Sequence, residues 1–199
     1  MVHLESYALN VLLLAACAIP AESALEGSPG EAPSGSDPIV VDATFSAVFI
    51  PGIPALTYDP MLVPESGKVR VTITADGTGN GKAQEVVLAV AGFQPSRPFG
   101  GHLHTNGCGP SGEDAGPPYQ HTVDPAATPE HPSTDPAYAN PQNEVWLDFT
   151  TDGSGVATSS AAHPWPFDPN RPPRSLIIAT DKAADKAGAR LACVNLPSP

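Results

Sequence analysis

Lys68-Val69-Arg70-Val71-Thr72-Ile73-Thr74 alternates strictly between polar and apolar side chains. This is the period of two that a strand with one buried face requires. Working outward, Glu85-Val86-Val87-Leu88-Ala89-Val90 follows after Asp76-Gly77-Thr78-Gly79-Asn80-Gly81, a Gly and Asn-rich hairpin connection. Ile39-Val40-Val41 through Phe49-Ile50 precedes it, and further β-branched runs cover Glu144 to Thr150, Val156 to Ser160, Leu176 to Thr180 and Ala189 to Asn195. No window carries a sustained helical period with caps, so the pattern predicts an all-β fold, a Greek-key β-sandwich or barrel. The 25 prolines suit long irregular loops between such strands.

Three segments organise the chain. Residues 8–16 are an apolar run too short to span a bilayer but of signal-peptide length. It ends in Leu14-Ala15-Ala16-Cys17, which resembles a bacterial lipobox, where the cysteine is diacylated and anchors the protein to a membrane. Soluble secretion after cleavage near Ala21-Glu22-Ser23 is the competing reading, and Met1 to Tyr7 carries Glu5 and no Lys or Arg where a signal normally begins positively. Residues 1–23 therefore read as a signal peptide of an exported protein. Residues 24–37 are Gly, Ser, Pro, Ala and Glu apart from Leu25 and Asp37, with little to bury, a disordered linker. Residues 38–199 are long enough for one domain with its own core.

Charge excludes one class of partner. With 21 acids against 9 bases the net charge is −12, so the surface offers no phosphate-binding patch and nucleic acid is not an expected partner.

The chemistry-bearing stretch is Gly100-Gly101-His102-Leu103-His104, running on to Cys108. In an extended chain His102 and His104 share one face while Leu103 turns to the core, which is half of a metal site. Far along the chain Gly188-Ala189-Arg190-Leu191-Ala192-Cys193 supplies an arginine and a second cysteine. Between and before them stand Val87-Leu88-Ala89-Val90-Ala91-Gly92-Phe93, Ala115-Gly116-Pro117, Asn143-Glu144-Val145 with Asp148, Asp152-Gly153-Ser154-Gly155-Val156-Ala157 and Ser175-Leu176-Ile177-Ile178. In this order, over roughly residues 68 to 195, the motifs resemble the Cu,Zn superoxide dismutase family.

The resemblance implies a Greek-key barrel that binds copper through four histidines. Imidazole suits a copper that cycles between two oxidation states, whereas carboxylates or thiolates alone would bias one of them. His102 and His104 match the family's strand pair. The family's Gly-Pro-His is Gly116-Pro117-Pro118 here, with His121 three residues on as the nearest imidazole, and the fourth histidine is replaced by Ala179. His163, in Ala162-His163-Pro164-Trp165, is the remaining imidazole that a folded loop would have to bring to the copper. For zinc, His131 falls about where the family has a ligand, flanked by Asp124 and Asp135, but Tyr138-Ala139-Asn140-Pro141-Gln142-Asn143 replaces the later ones. His131 and its neighbours read equally as solvated loop residues.

Arg190 matches the arginine that attracts superoxide beside the copper, and His121 would donate the proton if it took the bridging place. Arg190 reads alternatively as a brace for loop carbonyls, since guanidinium forks often do that. The resemblance also pairs Cys108 with Cys193, and cysteine parity in an exported chain agrees once Cys17 is lipidated or removed. The implied activity is dismutation, in which Cu(II) oxidises one superoxide to dioxygen and Cu(I) reduces a second to peroxide. A non-catalytic metal-binding or scaffold descendant of the same barrel is the alternative, which Pro118 and Ala179 favour. The net negative charge repels superoxide at long range, although salt screens that field beyond roughly 8 Å. Many members of the family are homodimers, but the motifs matched here carry no dimer contact.

Overall fold

The computed structural model describes residues 37–75, 84–180 and 188–197. The chain divides into two units, Met1–Ala32 and Pro33–Pro199, and all described residues lie in the second. The segments read as signal peptide, lipobox and Gly/Ser linker lie outside the described residues except for Asp37, as does the 76–81 connection.

Nine strands and one short 3-10 helix make up the regular structure among the described residues. They are β1 (Ile39–Thr44), β2 (Ala55–Thr57), β3 (Lys68–Ala75), β4 (Gln84–Ala91), β5 (Pro98–His104), η1 (Gly112–Ala115), β6 (Phe149–Thr150), β7 (Ala157–His163), β8 (Ser175–Thr180) and β9 (Arg190–Asn195). One antiparallel sheet runs β1-β3-β4-β7 and the other β2-β9-β8-β5-β6. The protein is thus an all-β sandwich, as the alternating patterns predict.

Alternation decides what each strand buries. On β3, Val69, Val71 and Ile73 point inward while Lys68, Arg70 and Thr74 are exposed. Val86, Leu88 and Val90 of β4 do the same beside them. From the facing sheet come Phe99 and Leu103 of β5, Leu176 and Ile178 of β8 and Val194 of β9, joined to the others in one core. Each such side chain contributes roughly 1.5–3 kcal/mol by leaving water. Strand β8 is buried on both faces, because its outer residue Ile177 packs with Cys193 and Ala115 in a second, smaller cluster beneath η1.

The structure corrects three strand boundaries. The first strand stops at Thr44 rather than reaching Ile50, because its ladder ends at Lys68, the first residue of β3, and Ser46 then bridges Leu56 of β2. The run from Glu144 to Thr150 forms a ladder only at Phe149–Thr150, since its earlier part joins β5 through the single bridge between Trp146 and His102. Strand β7 continues past Ser160 to His163, pairing along β4 as far as Gln84. Ala55–Thr57 was too short to show a period, and its strand exists through pairing with β9.

Candidate metal centre

Strand β5 presents His102 and His104 on the outer face of its sheet, with Phe99 and Leu103 on the inner one. Both imidazoles are buried, at 7% and 4% exposure. What covers His102 follows from the glycine before it. A Cβ on Gly101 would lie 2.7 Å from the Leu147 carbonyl oxygen, so only glycine lets the 144–149 segment lie this close to β5. The Leu147 N–H donates to the Gly101 carbonyl at 2.6 Å, and the Gly101 N–H donates to Asp148 Oδ1 at 3.0 Å.

In that segment Val145, Leu147 and Phe149 enter the core, which leaves Glu144, Trp146 and Asp148 on the side of His102. Trp146 stacks on the His102 ring, 5.2 Å between centroids and 5° from parallel. Asp148 Oδ1 lies 3.4 Å from His102 Nε2. Glu144 is itself buried and accepts hydrogen bonds from Gln120 Nε2 at 2.9 Å and Trp146 Nε1 at 2.8 Å.

His104 is oriented from the loop that follows it. Ser111 caps η1, its hydroxyl accepting from the Glu113 N–H while Asp114 accepts from the Ser111 N–H. The turn closes at Gly116, whose φ of 71° is a conformation glycine adopts readily. Its carbonyl lies 2.8 Å from His104 Nδ1. A carbonyl only accepts, so Nδ1 carries the proton and the neutral ring has its lone pair on Nε2.

The same loop is tied down at several points. Cys108 and Cys193 form a disulfide with 5.7 Å between Cα atoms. The Cys108 N–H donates to Asn195 Oδ1, Tyr58 donates to the Gly109 carbonyl, and Ser175 donates to the Asn106 carbonyl. Arg190 donates to the Gly112 carbonyl at 2.8 Å and has Glu113 at 3.6 Å. Burial lowers the Arg190 pKa and Glu113 pushes it back up; guanidinium stays charged. The bracing role of Arg190 is therefore present in the geometry. Burial also raises the Tyr58 hydroxyl to about 12, with Asp114 adding to the shift, so it stays a donor.

The other imidazoles stand elsewhere. Pro118 pairs with His104 and Gln120 with Glu144, while Tyr119 between them is fully buried in the core. By that alternation His121 turns to the side of Tyr119, opposite to the β5 pair. It is exposed and stacks on Trp165 at 4.7 Å. His163 stacks on the same indole at 4.2 Å. His163 is buried with Nε2 unpartnered, and desolvation together with nearby His121 lowers its pKa below 6.5.

His131 lies on an exposed turn, its N–H donating to Thr128. Asp124 accepts from Ala126 N–H and the Ser133 hydroxyl, and Asp135 accepts from Ala137 N–H, so both carboxylates shape local turns. Among the described residues no group of three or more His, Cys, Asp and Glu is placed to hold a metal ion. The structure thus brings His102 and His104 together, groups His121 with His163, and leaves His131 apart. Sequence reasoning named Glu144 and Asp148 without a role and passed over Trp146. The signal was the alternation of Glu144, Trp146 and Asp148 with three core residues.

No protein-family model matches the chain, and no curated protein matches it.

Proposed function

We propose that this protein is an exported, copper-binding, superoxide dismutase-like protein that dismutates superoxide, with His102 and His104 holding the copper. The observation that carries the reading is the pair itself: two buried imidazoles on one face of β5, each with a second contact that fixes its ring. A metal-binding histidine characteristically donates its other nitrogen to a carbonyl or carboxylate, and His104 does so to Gly116. The residues present fit the group in that respect.

Register adds support for the family resemblance. The two positions at which the family would supply further imidazoles lie beside the pair, Pro118 opposite His104 and Ala179 opposite Gly100. Bound copper would supply one-electron redox chemistry between its two common oxidation states. The chain's own part is to orient the two imidazoles, to keep bulk water off them through Trp146 and the η1 loop, and to offer a local positive charge at Arg190, which pairs with Ala179 across β8 and β9.

A second reading, a non-catalytic metal-binding or scaffold descendant, is favoured by the stacking of His121 on Trp165 rather than beside the pair. Copper loading of the full chain, a superoxide dismutation assay and a His104→Ala control decide between them. One copper per chain with turnover abolished by the substitution supports dismutation. Copper retained without turnover supports the second reading, and no copper uptake overturns the proposal.

A further inference from the structure

We propose that Glu144 is a positioning residue for His102, acting through the indole of Trp146. The inference rests on the reading of β5 as the copper-holding strand. An imidazole on a strand is free to rotate about its last torsion unless a face contact and an edge contact both hold it. For His102 the face contact is Trp146, 5° from parallel, and the edge contact is Asp148 at 3.4 Å. The plane of Trp146 is set in turn by its N–H, which donates to Glu144 Oε2 at 2.8 Å.

Glu144 is 3% exposed and uses its other oxygen to accept from Gln120 at 2.9 Å. Gln120 passes the constraint on, since its Oε1 accepts the Asp124 N–H at 3.1 Å and Asp124 ties Ala126 and Ser133. A carboxylate is the side chain that accepts from two converging donors. An amide there accepts at one atom and turns its own N–H₂ against the second donor, leaving a buried polar group unsatisfied. The 120–133 loop and the metal-holding strand are therefore joined through one buried carboxylate.

Glu144→Gln and Trp146→Phe test this in the full-length protein. Trp146→Phe keeps an aromatic face for His102 and deletes the N–H that Glu144 accepts. Without metal, the side-chain nitrogen resonances of His102 should shift in both variants while those of His163 stay in place. With copper, chelator competition should show binding weakened about tenfold in either variant, the scale of an outer-shell partner's loss. The double variant should be little worse than either single one, because both cut the same link. Unchanged His102 resonances, or losses that simply add, overturn the proposal. Should Glu144→Gln fail to fold, Glu144→Asp, whose shorter side chain withdraws from both donors, takes its place in the single and the double variant and carries the same two outcomes. A wild-type protein that takes up no copper overturns the metal reading, whereas the metal-free resonances still judge the link to His102.

Discussion

Reducing the disulfide between Cys108 and Cys193 separates a cross-link from a clamp. The bridge spans 85 residues in sequence. Loop-closure entropy for that length gives about 4.5 kcal/mol of destabilisation on reduction at 25 °C. With a urea m-value of about 2 kcal/mol/M, the unfolding midpoint should fall by about 2 M. The local geometry should survive, because the bridged loop is also held by Asn195 on Cys108, Tyr58 on Gly109, Arg190 on Gly112 and Ser175 on Asn106. Below the new midpoint the reduced protein should therefore keep Gly116 on His104 and, on the proposed copper reading, bind copper within about threefold of the oxidised form, a change of under 1 kcal/mol. Urea titrations followed by tryptophan fluorescence, run with and without a thiol reductant, measure the first quantity, and copper titration of the folded reduced protein measures the second. A midpoint shift below about 0.5 M would refute the cross-link argument. Copper affinity lost more than about tenfold in the folded reduced protein would refute the claim that the hydrogen bonds suffice.

Two further outcomes follow from single residues. His163 is buried neutral with its pKa held below 6.5 by desolvation and by His121, so its stability contribution is complete above pH 6.5 and is lost as pH falls through the depressed folded value. Thermal unfolding of wild type should show that acid-side loss, and His163→Phe should reduce it; an unchanged slope would refute the assignment. Gly101→Ala places a methyl 2.7 Å from the Leu147 carbonyl and should cost about 1–3 kcal/mol, whereas Gly153→Ala, which meets nothing within 4 Å, should leave the denaturation midpoint nearly unchanged.

The strand pattern was legible because burial on a two-sided sheet imposes a period of two on the sequence itself. Lys68 to Thr74 and Glu85 to Val90 needed no partner to be read, and the core residues they announced are the ones buried. The shared face of His102 and His104 and the pairing of Cys108 with Cys193 were equally readable, one from strand geometry and the other from the motif resemblance and cysteine parity. Where two distant segments must meet, the sequence is silent. Nothing in Trp146 or His121 alone says which ring lies on His102 and which on Trp165. That is decided when Gly101 admits the 144–149 segment against β5 and when Tyr119, by entering the core, turns its neighbour His121 to its own side. Local period fixes the face on which a side chain sits, while its neighbours across the sheet are set by long-range pairing, whose register only the folded chain possesses.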